Sequence, residues 1–194
     1  MCKVSVYRHT QYIAVRILCK CLRDKQKTAY EMLLGDWSSD VCSSDVLMGC
    51  IANAALNNGG EVVGIIPRFM EQVEWAHRSL TELVLVDDMR ERKHQMLLRA
   101  EAVVTLSGSC GTLEELAEAI TLKRLGLYCG PIIIVNTNGF YHHLQALLNQ
   151  MVDEHFMRPE HRQMWTFVDT PEQVLPAIAS TPQWDSGAIK FAAV

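Results

Sequence analysis

The sequence predicts an α/β fold: a Rossmann-like parallel sheet with helices on both faces. Three observations predict it. Beyond residue 46, strands that are apolar throughout alternate with amphipathic helical stretches, the pattern of a parallel sheet covered on both sides. The apolar run Ala102–Leu106 leads into Ser107-Gly108-Ser109-Cys110-Gly111-Thr112-Leu113-Glu114-Glu115, and a helical pattern over Leu113–Leu125 leads out. Strand, glycine-bearing loop and helix start, in that order, offer backbone N–H groups to a phosphate. Finally, 194 residues with 49% hydrophobic and 21% charged side chains suit one soluble globular domain with a full core.

Each element has its own warrant. Leu47–Asn57 reads as a helix closed by Asn58-Gly59-Gly60. Glu61–Ile66 is a strand stopped by Pro67, and Leu83–Val86 is a second. Arg90–Arg99 is a helix with Met96, Leu97 and Ala100 on one side. Pro131–Val135 is a near-continuous apolar strand, Tyr141–Glu154 a helix and Trp165–Val168 a short strand. Pro171–Ile178 is a last helix with Thr170 as N-cap. Ligands of such sheets collect beyond the carboxyl ends of the strands. The loops there are Pro67-Arg68, Asp87-Asp88, Ser107–Cys110 and Asn136–Gly139. From Thr181 to residue 194 the chain reads as a flexible tail.

Residues 1–45 follow a different grammar. Val4–Tyr7 fits a strand and Tyr12–Leu22 a helix, but no glycine loop joins them. In Gly35–Asp45 and the residue after it, Ser-Ser-Asp-Val occurs twice at a five-residue offset, with neither helical nor strand periodicity. A polar loop is one reading. Back-translated with common codons, the segment also reads as a sequencing-library adapter, so the expectation is an artefactual or disordered segment spliced onto a domain at 46–180.

Composition excludes several classes. A net charge of −4 provides no field for DNA, RNA or anionic membrane. No apolar run is long enough to span a bilayer, and Arg8, Arg16 and Lys20 interrupt any signal-peptide core. The seven cysteines (Cys2, Cys19, Cys21, Cys42, Cys50, Cys110 and Cys129) form no C-x-x-C pair, so reduced thiols in a cytoplasmic protein are expected. Glu74-x-x-His77 has helical spacing but no second ligand pair, and His142-His143 reads as a solvated helix face; no metal is expected. Ser107 and Ser109 lack a nucleophile-elbow context.

Two readings of the glycine loop stay open on the residues alone. Gly108 and Gly111 allow close backbone approach to phosphate. Alternatively, Thr112-x-x-Glu115 fits a capping box with Thr112 as N-cap. Arg92-Lys93 reads either as cations at the strand ends or as a solvated helix face beside Arg90 and Glu91. Cys110 fills a loop position whose thiol a helix N-terminus can acidify.

Taken together, residues 47–180 resemble the LOG (LONELY GUY) family of cytokinin riboside 5'-monophosphate phosphoribohydrolases, often mislabelled lysine decarboxylases. The family signature P-G-G-x-G-T-x-x-E corresponds to Ser107–Glu115. Leu47-Met48-Gly49 with Asn53–Leu56 resembles the helix after the family's first glycine loop, and Gly64–Arg68 its next strand end. Leu80–Leu83 and Asp88–Lys93 resemble the stretch around its essential arginine. The resemblance implies hydrolysis of the N-glycosidic bond of a nucleoside 5'-monophosphate to free base and ribose 5-phosphate, without cofactor or metal, in a homodimer.

By that resemblance Glu115 is the acting acid and Arg92 positions substrate, assisted by Lys93. The amides from Ser109 through Cys110 and Gly111 to Thr112 hold phosphate with Gly108 and Glu114, and Glu74 and Thr121 match contact positions more loosely. Alternatives of the same fold are an AMP nucleosidase and a non-catalytic carrier of nucleotide or molybdenum cofactor. No lysine has a recognisable pyridoxal-phosphate setting. Two departures stand out. The family's Pro and second Gly are Ser107 and Ser109 here, so strain is expected at Ser109 if its φ is positive. The family's opening strand, glycine-serine loop, helix, second strand and triple-glycine loop fall where residues 1–45 stand, and neither loop is in the sequence.

Overall fold

The computed structural model describes residues 3–6, 12–16, 44–71 and 80–192. Seven strands form one sheet: β1 (Lys3–Val6), β2 (Tyr12–Arg16), β3 (Glu61–Pro67), β4 (Glu82–Val86), β5 (Ala102–Thr105), β6 (Ile132–Val135) and β7 (Thr166–Val168). Their order across the sheet is β4-β3-β1-β2-β5-β6-β7. The helices are α1 (Ser44–Asn57), α2 (Arg68–Glu71), α3 (Met89–Arg99), α4 (Cys110–Arg124), α5 (His142–Asp153) and α6 (Val174–Ser180). Short 3-10 turns cover Thr137–Gly139, Pro159–Met164, Pro171–Gln173 and Ala188–Phe191. The α/β class and the alternation of elements after residue 46 agree with the sequence.

The expected helix from Tyr12 is corrected at its start: Tyr12–Arg16 is a strand, and residues 17–22 lie outside the described residues. Its Tyr, Ile and Val suit a pleated surface, and long-range pairing overrides a weak helical pattern. β2 runs antiparallel to both neighbours, with Val4 opposite Val15 on one side and Tyr12 opposite Thr105 on the other. The other pairs, β1 with β3, β3 with β4, β5 with β6 and β6 with β7, are parallel. Two successive antiparallel pairings restore the original direction, so the carboxyl ends of β3, β4, β5 and β6 lie along one edge.

Alternation along the strands builds a core on each face. Val63, Ile65, Val103, Ile132 and Ile134 pack with Met96 of α3, Leu116, Ala119 and Ile120 of α4, and Leu148 and Val152 of α5. Val62, Val104, Ile133 and Val135 point the other way, onto Ile51, Ala52 and Ala55 of α1 and Val174 of α6. Helices α3 and α4 therefore share one face, and both begin at the edge where β4 and β5 end.

The carboxyl-terminal stretch is also corrected. The sequence predicts a flexible tail from Thr181, yet residues 184–192 dock beside α4. Trp184 N–H donates to Cys129 O at 3.1 Å, and Ala188 is fully buried. Arg124 Nε and Nη2 both donate to Ala192 O, at 2.9 and 2.5 Å. Trp184, Phe191 and His161 cluster with ring centroids 6.1–6.5 Å apart. Gly126 ends α4 with φ +73°, and a Cβ there would lie 2.4 Å from Ser186 O, so the turn needs glycine on both counts.

Candidate functional site

The glycine loop bridges β5 and α4. Helix α4 begins at Cys110, with Ser109 as N-cap, so Thr112 lies inside the first turn and is not itself the cap. The capping-box reading of Thr112 and Glu115 is thereby set aside. Ser109 has φ −88° and ψ −169°, extended backbone open to any residue. The strain expected there is absent. Gly108 is required for a different reason: a Cβ would stand 2.2 Å from Oγ1 and 2.7 Å from Cβ of Thr112, which is fully buried. Close packing of loop on helix, rather than a left-handed φ, selects glycine.

The two helix starts on this edge differ electrostatically. At α3, the Asp88 side chain accepts from Glu91 N–H at 2.7 Å, and Glu91 Oε2 accepts from Asp87 N–H at 3.0 Å. Two carboxylates thus neutralise that end of the helix dipole. At α4, Ser109 makes no side-chain cap bond and no acid stands in the first turn. The positive end of α4 is the one left available to an anion.

Arg92 is the fourth residue of α3 and Glu115 the sixth of α4. At about 1.5 Å of rise per residue, both lie within about 9 Å of the edge where their helices start. Arg92 is fully buried and Glu115 is 3% exposed, unusual for charged residues in a small domain. Arg92 Nη1 lies 3.9 Å from Sδ of Met89, one turn earlier. An indentation between the helices is lined by Lys93, Met96, Leu97, Glu115 and Glu118.

Lys93 ties the two helices together. Its Nζ pairs with Glu114 and, at 2.6 Å, with Glu118. Burial works against the ammonium, but hydrogen bonds and attraction from the two carboxylates outweigh it, and the pKa is raised. Lys123, fully buried at the far end of α4, goes the opposite way. It donates to Gly130 O at 2.7 Å, with Nζ 5.9 Å from the Trp184 ring centroid. Burial lowers its pKa to about 8, against a smaller opposing contribution from Cys129.

The structure brings together Gly108 with Thr112, and Lys93 with Glu114 and Glu118. Cys110 is an exposed free thiol at the start of α4, and Gly111 follows it in the same turn. Thr121 is not brought to the loop: it is exposed two turns further on, and its Oγ1 donates to Ala117 O at 2.8 Å. Glu74 lies outside the described residues. Glu118 and Tyr141 were not legible as site residues. Glu118 had a signal, its i+4 spacing from Glu114 on one face of α4. Tyr141 had none, because its hydroxyl partner, Leu106 O at 2.6 Å, is 35 positions away.

Comparison with known proteins decides the family. Residues 48–178 match the family described as "Possible lysine decarboxylase". A cytokinin riboside 5'-monophosphate phosphoribohydrolase of Rhodococcoides fascians is 39% identical over 135 residues, covering 69% of this chain and 68% of that protein. The chain belongs to the LOG family. An Arabidopsis thaliana protein of the same name is 32% identical over 143 residues, 74% of this chain and 63% of that protein. A second from Arabidopsis is 37% identical over 116 residues, 60% of this chain and 54% of its own. The chain spans 60% and 56% of two rice relatives, each 34% identical, so it covers less than two thirds of several LOG proteins it matches. Among the described residues, no helix is long and apolar enough to cross a membrane.

Proposed function

We propose that this chain hydrolyses the N-glycosidic bond of nucleoside 5'-monophosphates, cytokinin ribotides or AMP, to the free base and ribose 5-phosphate. The carrying observation is that a buried arginine and a buried carboxylate, Arg92 and Glu115, stand on two helices that start at the same sheet edge. The names of the LOG relatives support the same chemistry.

In this reading the amides of Ser109, Cys110, Gly111 and Thr112 hold the 5'-phosphate at the uncapped end of α4. Breaking the glycosidic bond builds oxocarbenium character on the ribose. The Glu115 carboxylate stabilises that charge and takes a proton from the attacking water as it adds to the anomeric carbon. The base departs with the bonding pair and takes up a proton from solvent water, while Glu115 returns its own proton to solvent. Arg92 orients the substrate, and its burial makes its charge effective over short range. Lys93 and Glu114 hold α3 against α4. The working form is a cytoplasmic homodimer.

The experiment is incubation with AMP and with isopentenyladenosine monophosphate, with chromatographic detection of base and ribose 5-phosphate. Release of base, lowered about 10²–10⁴-fold in Glu115→Gln, is expected. Full turnover in that variant defeats the mechanism, and binding without base release favours a carrier. A monomer in light scattering defeats the dimer.

A further inference from the structure

The buried hydroxyl of Tyr141 belongs to none of the roles above. Tyr141 is 2% exposed and precedes α5, at the end of the loop that follows β6. Its Oη donates to Leu106 O at 2.6 Å. The Gly108 backbone N–H faces the Tyr141 Oη. One hydroxyl therefore spans both ends of the step from β5 into the glycine loop. The ring is itself held. Tyr141 N–H donates to Asn136 Oδ1 at 2.6 Å, and Asn136 N–H donates to Val168 O at 2.7 Å. The Phe140 ring stands edge-on to it, 4.9 Å between centroids.

The geometry points to Tyr141 as a positioning residue for the anion-binding loop: through Leu106 and Gly108 it sets the direction in which the amides from Ser109 onward face a phosphate. This rests on the reading of Ser109–Thr112 as the phosphate cradle. Its physical basis is that a loop pinned on three sides, by β5, by Thr112 beneath Gly108 and by the Tyr141 hydroxyl, binds an anion without first having to be ordered. A tyrosine buried merely for packing stabilises the fold alike for every ligand. One that orients the loop affects ligands according to whether they carry phosphate.

The test uses the full chain and Tyr141→Phe, which keeps the ring and removes the hydroxyl. Titration calorimetry measures ribose 5-phosphate and, separately, adenine; thermal unfolding is followed in parallel. Weakening of ribose 5-phosphate by about tenfold, the scale of a lost buried hydrogen bond, with adenine unchanged, is expected. Equal loss for both ligands, or no loss for either, overturns the inference. Should Tyr141→Phe not fold, Asn136→Ala releases the same ring from its other side with the hydroxyl intact, and the same two titrations decide. A parent chain that binds ribose 5-phosphate without releasing base from AMP refutes the proposed catalysis and leaves the positioning role standing. A parent that does not bind ribose 5-phosphate removes both.

Discussion

Gly108→Ala is the sharpest structural perturbation available at the loop. The added Cβ stands 2.2 Å from Oγ1, 2.7 Å from Cβ and 2.9 Å from Cγ2 of Thr112, where ordinary contact begins at 3.4 Å. Thr112 cannot give way easily: it is fully buried, β-branched and fixed in the first turn of α4. Loop and helix must separate by about 1 Å, and overpacking of this kind costs about 1–3 kcal/mol. For a chain of this length about 2 kcal/mol lowers the melting temperature by about 4–8 °C. Thr112→Ala in the same background removes the contacts at 2.2 and 2.9 Å but leaves Cβ at 2.7 Å, so the rescue is partial. Urea denaturation of the parent, both single variants and the double variant gives the coupling. The double is expected to be more stable than the sum of the singles predicts by about 1 kcal/mol. Strict additivity, or a Gly108→Ala chain within about 0.5 kcal/mol of the parent, refutes the contact as the reason for glycine.

Other consequences are equally direct. Lys93→Met removes the cation between Glu114 and Glu118; with Glu114 more than half exposed, the loss should be about 1 kcal/mol and should shrink in high salt. Trp184→Ala should cost about 2–3 kcal/mol and make the carboxyl-terminal stretch sensitive to protease, whereas a free tail predicts no change. Lys123 has a folded pKa of about 8, below the 10.5 of the unfolded chain, so between those values the unfolded state binds more protons and stability rises with pH. Urea midpoints from pH 8 to 10 should therefore rise in the parent relative to Lys123→Met; parallel profiles contradict the assignment.

What the sequence made legible follows the range of the interactions involved. β3, β5 and β6 are short apolar runs buried on both faces, and their neighbouring helices carry an apolar stripe, so local composition announces them. β2 was illegible because five residues containing Tyr, Ile and Val satisfy either period; pairing with Ala102–Thr105, far along the chain, decides the matter. The docked carboxyl-terminal stretch has no periodicity either. Its anchor is Arg124, 68 positions before Ala192. At the site, the order of strand, loop and helix was readable from Ala102 to Leu125. The partnership of Lys93 with Glu118 and the reach of Tyr141 to Leu106 are tertiary facts with little or no local signature.

The two serines of the loop illustrate why a family pattern has to be translated into geometry before it is used. Ser109 occupies a pattern glycine, and by pattern alone it weakens the loop. Its φ of −88° is ordinary for a residue with a side chain, and as N-cap its N–H and those of the next residues emerge at the uncapped end of α4. The substitution therefore adds a hydroxyl without demanding a strained backbone. Gly108 is the position where the same loop has no room, since its missing Cβ is what lets the loop after β5 pack onto Thr112. Of these two positions, 108 needs glycine for packing and 109 accepts a side chain. It follows that Ser109→Gly should leave folding stability nearly unchanged while Gly108→Ser should behave like Gly108→Ala, and opposite results would return the conformational demand to position 109.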